Sequence, residues 1–280
     1  MICIIKLKEV ELADEVWIKP LIEKADPEGS HINFTNLFLW LGVFKYKVAQ
    51  VDDFLIIKAQ KGERPCYFYP QGSGDLKSAI ELLKRDADLA GHPFCFAGLS
   101  PENVEELKTL YPGRFSFKPM RDAFDYVYLL EKMVTLSGKK LHAKRNHINR
   151  FVADNDWQFE LITKENFEEV REMNTVWCQL YGVDENGNFN DECCAVTRAF
   201  NYYEELGMEG GLIRSDGRVI AFTMGEILNS DTYVIHIEKA FADIRGAYQI
   251  INREFAAWVQ KTYPHLTYIN REEDMGYSGL

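Results

Sequence analysis

Three strand-like runs follow one another closely at 210–214, 218–227 and 232–239, joined by Ser215-Asp216-Gly217 and Asn229-Ser230-Asp231. Both linkers carry the residues of tight hairpin turns, so the runs are expected to fold back on one another as an antiparallel meander. Arg245-Gly246-Ala247 comes next, and then a helical period over 247–262 with Ala247, Ile251, Phe255 and Trp258 on one face. A meander that feeds a helix through a glycine turn places the chain in the α+β (mixed α/β) class, with antiparallel-rich sheets.

The remaining sequence fits that class. The first half shows helical periods over 11–25 and 75–89 and a helix beginning at Ser100-Pro101. An apolar segment lies at 34–40, and strand-like runs lie at 46–51, 54–59, 66–69, 94–97, 115–118 and 125–129. Asp75 and Ser100 are the expected N-caps. The second half opens with a strand at 157–162. A helix follows that Thr163 should cap and Gly182 should stop, then a polar loop, a helix over 192–206 and a final strand at 266–269. At 280 residues, 46% of them apolar, the chain is long enough and apolar enough for two domains with separate cores. Charge suggests where they divide. Between Lys132 and Ala153 stand Lys132, Lys139, Lys140, Lys144, Arg145 and Arg150, with no acidic residue. The expected domains are therefore 1–131 and 132–280, the second opening with a basic helix.

With 32 basic and 43 acidic residues the net charge is −11, so the overall field repels nucleic acid. Any contact with tRNA would fall to the basic segment 139–150. The cysteines are Cys3, Cys66, Cys95, Cys178, Cys193 and Cys194. They show no C-x-x-C spacing and read as free thiols, which fits a cytoplasmic location and no bound metal. No run approaches the roughly 18 apolar residues of a membrane span, so no integral membrane segment is expected. The G-x-S-x-G, P-loop, H-E-x-x-H and G-x-G-x-x-G patterns are missing. Hydrolase, NTPase, zinc-protease and dinucleotide-binding readings thus lack their usual support.

Candidate chemistry gathers in four places. At Arg245, Gly246 and Ala247, backbone N–H groups and the helix dipole can hold a phosphate, although the same pattern also makes a plain strand-to-helix turn. In His236-Ile237-Glu238-Lys239, simple alternation sets His236 and Glu238 on one face and Ile235 and Ile237 on the other. Glu238 can take a proton from an attacking amine, or it can merely pair with Lys239 or Arg245. His236 reads as structural. The run Asn270-Arg271-Glu272-Glu273-Asp274-Met275-Gly276-Tyr277 is placed beyond the last strand. There its acids and arginine can grip an amine and an anion together, or form a solvated tail. In the basic helix, Arg145 falls within a stripe of Leu141, Ile148 and Val152, where a charge needs a partner or a cleft. It can bind a phosphate or a tRNA backbone, or the segment can be a solvated linker helix.

Taken in order, several segments resemble the phosphatidylglycerol lysyltransferase C-terminal-domain family over nearly the whole chain. They are Ser30-His31-Ile32-Asn33-Phe34-Thr35-Asn36-Leu37-Phe38-Leu39-Trp40, Leu136-Ser137-Gly138-Lys139-Lys140-Leu141-His142-Ala143-Lys144-Arg145-Asn146-His147, Ile237-Glu238-Lys239-Ala240, Arg245-Gly246-Ala247-Tyr248-Gln249 and Asn270-Arg271-Glu272-Glu273-Asp274-Met275-Gly276. The resemblance implies two tandem GNAT-like (acyl-CoA N-acyltransferase) domains with a cleft near their junction. In the best understood members it implies transfer of lysine or alanine from aminoacyl-tRNA to phosphatidylglycerol. Fem-like peptidoglycan aminoacyltransferases are relatives of the family.

The expected activity is therefore an acyl- or aminoacyl-transfer from acyl-CoA or aminoacyl-tRNA to an amine or hydroxyl. The acceptor is a small molecule or a lipid headgroup, and no metal or tightly bound cofactor is expected. The alternative is a non-catalytic ligand- or partner-binding module on the same duplicated fold. Glu238 and Asp274 are the expected catalytic acids. Arg145, Arg245, Gly246, Ala247 and Arg271 are the expected donor contacts, and Asn270, Glu273 and Tyr277 the expected acceptor contacts. The first half lacks an obvious glycine turn into a helix and is expected to be scaffold.

Overall fold

A computed structural model describes residues 5–62, 64–182 and 190–273. Asp274 and Tyr277 lie outside the described residues. The chain forms two compact units that divide between Phe124 and Asp125. That is ahead of the Lys132 position suggested by charge, because residues 125–129 form a strand in the second unit's sheet.

The first unit contains β1 (Lys8–Glu9), α1 (Glu15–Ala25), α2 (Phe34–Leu39), α3 (Leu41–Phe44), β2 (Lys47–Val51), β3 (Phe54–Lys61), β4 (Arg64–Phe68), β5 (Gln71–Gly72), α4 (Leu76–Leu89), β6 (Phe96–Ala97) and α5 (Pro101–Leu110). Its sheet runs β1-β2-β3-β4-β6, with β5 paired to β3. β1 to β4 are antiparallel, and β6 joins β4 in parallel. Asp75 caps α4 by accepting the Ser78 N–H at 3.1 Å, and Ser100 caps α5 by accepting the Asn103 N–H at 3.2 Å. α4 lays Ala79, Leu83 and Ala87 against Phe54, Ile56 and Tyr67 of the sheet.

The second unit contains β7 (Asp125–Leu129), α6 (Leu130–Thr135), α7 (His142–Asp154), β8 (Trp157–Leu161), α8 (Phe167–Tyr181), α9 (Asp191–Asn201), β9 (Glu209–Ser215), β10 (Arg218–Ile227), β11 (Thr232–Ala240), α10 (Ala247–Thr262) and β12 (Tyr268–Glu273). Its sheet runs β7-β12-β11-β10-β9-β8. β9, β10 and β11 form the expected meander, and β12 joins β11 in parallel. The β9–β10 turn places Asp216 and Gly217 at φ +48° and +79°, the conformation that matches strand twist in a tight hairpin. Both units thus share one order: meander, helix, parallel strand. This is the mixed α/β architecture with two tandem GNAT-like domains.

Several local expectations are corrected. Residues 115–118 form no strand; Phe115 instead packs its ring against Phe94, Phe96 and Tyr111. Thr163 does not cap α8. Its own N–H donates to Asn166 Oδ1 at 2.8 Å, and the helix begins at Phe167. β12 runs on through Glu273, so Asn270 to Glu273 belong to a strand rather than to a tail. Cys178 and Cys193 are paired as a disulfide, their Cα atoms 6.1 Å apart, not free. Cys66, Cys95 and Cys194 remain thiols. No described helix is long and apolar enough to cross a membrane.

Candidate active site

The site is made by two parallel strands that part. β11 and β12 share register over Thr232, Val234 and the residue between them, opposite Tyr268 to Asn270. Both strands then continue, β11 to Ala240 and β12 to Glu273. Past the last shared pair, among the described residues, β11 keeps its ladder with β10 and not with β12. There side chains join the two strands, Arg271 to Glu238 and His236 to Glu272.

A bulge sets which side chains meet there. β10 residues Met224 and Gly225 pair with Ile237 and Ile235, so His236 is an extra residue in β11. Simple alternation fails here. Tyr233 and Ile235 pack with Phe255 and Val259 of α10, and beyond the bulge it is Glu238 and Ala240 that turn toward the same helix. Glu238 therefore shares a side with Ile235, contrary to the unbulged reading.

Glu238 is nearly enclosed, its side chain 7% exposed. Arg271 Nη2 on β12 donates to Oε1 at 2.7 Å, and Asn252 Nδ2 on α10 donates to Oε2 at 3.1 Å. Arg271 Nε is buried and, among the described residues, has no hydrogen-bond partner. An enclosed N–H without an acceptor is uncommon and marks a place where a ligand oxygen would be welcome. Asn252 escaped the sequence reading. Its only signal was a poor helix former one position after two buried isoleucines.

On the other side of β12, His236 lies between two carboxylates. Its Nε2 is 2.9 Å from Glu226 Oε1, and its Nδ1 is 2.7 Å from Glu272 Oε1. Burial opposes a charge on the ring, but the two carboxylates outweigh it and push the imidazole up to about 9. Lys239 faces α8 and α9. Its ammonium sits 3.9 Å from the centre of the Trp177 ring and bonds Glu192. Burial draws the Lys239 pKa down against the pull of Glu192. Trp177 Nε1 also donates to the Ala240 carbonyl at 3.1 Å.

The other candidates are placed differently. Arg145 is half-buried, and its Nη1 donates to the carbonyls of Leu136 and, at 2.9 Å, Gly138. The buried residues beside it on α7 are Ile148 and Phe151, while Val152 is exposed. Gly246 adopts φ +95° before α10, and a Cβ there would stand 2.9 Å from the His147 carbonyl oxygen and from Phe151 Cβ. The glycine thus serves the close approach of α7. Ala247 is fully buried and its N–H donates to the Ile244 carbonyl at 3.1 Å. Arg245 is exposed, and its Nε donates to His147 Nδ1 at 3.1 Å. It borders a depression of about 530 Å³ shared with Arg150, Asp154 and Asp243, whose charges are mixed. Asn270 is fully buried. Its amide bridges Asp125 and the Glu272 N–H, so it shapes the strand from within. Glu273 ends β12, half-buried. The structure thus brings Glu238 and Arg271 together and leaves the Gly246 turn beneath α7.

A family model described as phosphatidylglycerol lysyltransferase, C-terminal, matches residues 23–280. A conserved protein of unknown function from Bacteroides thetaiotaomicron is 38% identical, with a TM-score of 0.90 over 99% of this chain and 93% of its own. The C-terminal domain of a putative lysylphosphatidylglycerol synthetase from Agrobacterium fabrum shares the fold at 15% identity. Its TM-score is 0.65, over 94% of this chain and 79% of its own. L-PGS from Bacillus licheniformis does so at 18% identity and a TM-score of 0.62, over 91% and 77%. No protein with a curated description matches.

Proposed function

The chain belongs to the phosphatidylglycerol lysyltransferase C-terminal family, and on that premise we propose that it moves an aminoacyl group from an activated donor to an amine or hydroxyl acceptor. One observation carries this reading. Where β11 and β12 part, a nearly enclosed carboxylate meets an arginine with an unsatisfied N–H.

An aminoacyl donor suits the surroundings better than acyl-CoA. The Gly246 turn, where a CoA pyrophosphate would seat, lies against α7, and the first N–H of α10 is already bonded. At the parting, Glu226, Glu238 and Glu272 outnumber His236 and Arg271, which favours the ammonium of an aminoacyl group. The exposed Lys139, Lys140, Lys144 and Arg150 are the residues suited to the phosphates of tRNA. The acceptor is a small molecule or a lipid headgroup.

In the step itself, the acceptor lone pair attacks the ester carbonyl of the donor. Glu238 takes the acceptor proton, the bond to the donor ribose oxygen breaks, and that oxygen receives the proton. Arg271 Nε can hold the carbonyl oxygen as charge develops on it. Positioning and these two groups suffice for the step.

Titration calorimetry of the whole chain tests the reading, with non-hydrolysable lysyl- and alanyl-adenosine amides set against acetyl-CoA. One-to-one binding of an aminoacyl analogue that Glu238→Gln weakens is the expected result. Binding of acetyl-CoA alone would transfer the case to an acyl-CoA donor. Binding of neither, by a folded protein, would count against a transferase.

A further inference from the structure

Among the described residues, no ladder register joins β11 to β12 beyond Val234 and Asn270. A thread of side chains joins them instead. Glu226 meets His236, His236 meets Glu272, the Glu272 N–H donates to Asn270 Oδ1 at 2.7 Å, and Asn270 Nδ2 donates to Asp125 Oδ2 at 2.6 Å. The thread crosses β10, β11, β12 and β7 in that spatial sequence, and it grips the residues on either side of Arg271. Glu272 is held at φ +61°, which a non-glycine residue keeps only when its surroundings fix it.

We infer that His236 is a positioning residue: as an imidazolium it holds Glu272 in the left-handed conformation and so aims Arg271 at Glu238. A neutral imidazole has one N–H and can donate to only one of two carboxylates, leaving a lone pair against the other. Charge on the ring makes both contacts attractive at once. The groups that face it are Glu226 from β10 and Glu272 from β12. On its own strand, Glu238 is engaged by Arg271 and by Asn252 of α10, and Lys239 by Glu192 of α9. With only 1% of its side chain exposed, His236 cannot exchange either carboxylate for water. Its importance rests on the reading of Glu238 and Arg271 as the working pair, but its test needs no substrate.

The full chain, labelled with ¹³C and ¹⁵N in arginine and histidine, is read by carbon-detected magnetic resonance. Arg271→Lys identifies the Arg271 Cζ–Nε signal, and His236→Gln identifies the His236 ring. In the unsubstituted protein His236 should be charged at pH 7.5 and titrate near pH 9, and the Arg271 signal should shift with the same midpoint. In H236Q the Arg271 signal should already stand at its high-pH position and lose that titration. A neutral His236 at pH 7.5, or an Arg271 signal that stays still while His236 titrates, would overturn the inference. Should H236Q fail to fold, the titration of the unsubstituted protein decides, and Glu272→Gln supplies a second variant with the same expected shift. Failure of the aminoacyl analogues to bind would sink the transfer reading and leave this result standing. A motionless Arg271 signal in a protein that binds them would sink this inference alone.

Discussion

Arg271 Nη2 lies 2.7 Å from Glu238 Oε1 where two parallel strands part, so each residue answers the other's charge. Glu238→Gln keeps the shape and removes the proposed base. Transfer is expected to fall about 10²- to 10⁴-fold in kcat, the usual contribution of a positioned proton acceptor. Arg271 also loses its counter-ion, and a denaturant midpoint should register a loss on the order of 1–3 kcal/mol. Unchanged turnover in E238Q would remove Glu238 from the chemistry.

Gly246→Ala probes the meeting of α7 with α10. The new Cβ would need φ +95° and would press on the His147 carbonyl and Phe151. Strain and displacement together should destabilise the protein by about 2–3 kcal/mol in a urea titration. A change below a few tenths of a kcal/mol would mean that the two elements do not approach this closely.

His236 makes stability depend on pH. Its pKa lies above the ordinary 6.5 of the imidazole. The contribution is therefore present in full below about 6.5 and is lost as pH rises through about 9. The whole effect is on the order of 3 kcal/mol. Between pH 7 and 10, Tm should fall more steeply in the unsubstituted protein than in H236Q. Parallel slopes would show that the histidine is not held charged by its carboxylates.

Arg145 separates a structural from a ligand-binding role. Because its guanidinium holds two carbonyls of the segment before α7, Arg145→Ala should loosen residues 136–141. Faster amide exchange there and a loss of about 1–2 kcal/mol are expected, with little change in affinity for an aminoacyl-adenosine amide. Weakened analogue binding with unaltered exchange would restore Arg145 to the site.

The Cys178–Cys193 bond closes a loop with a sequence separation of 15. By loop-closure entropy, its removal should reduce stability by about 3 kcal/mol. Unfolding with and without a strong reductant measures this, and the Cys178→Ser/Cys193→Ser double variant should match the reduced protein. If both thiols alkylate in the unreduced, unfolded chain, they are not bonded.

Local chemistry was legible in the sequence wherever one residue type acts on its near neighbours. Asp75 and Ser100 cap their helices as expected, and the turns around Gly217 and Ser230 do fold the meander. Glu238 and Arg271 were both named for one site, 33 positions apart in the chain, but as acid and donor contact rather than as each other's partner. What escaped depended on register. Alternation is a rule about counting, and one uncounted residue at His236 reversed it for Glu238. Continuation of β12 through charged residues escaped for a related reason. Such a run resembles a solvated end until Asp125 and His236 supply its partners. The cysteine pair was illegible because nothing in the spacing of Cys178 and Cys193 shows that α8 and α9 turn side by side.

The bulge at His236 places a residue in β11 that the ladder with β10 does not need. Removing that one residue would leave Glu238, Lys239, Arg271 and Asn252 all present in the chain. Met224–Ile237 and Gly225–Ile235 would become neighbouring steps of an unbroken ladder, so Glu238 would still turn toward α10 and Lys239 toward Trp177. Only the imidazole between Glu226 and Glu272 would be lost. Among descendants of this chain, β11 can thus lose one residue between Ile235 and Glu238 and keep that carboxylate on its side, whereas the loss of two would turn it over.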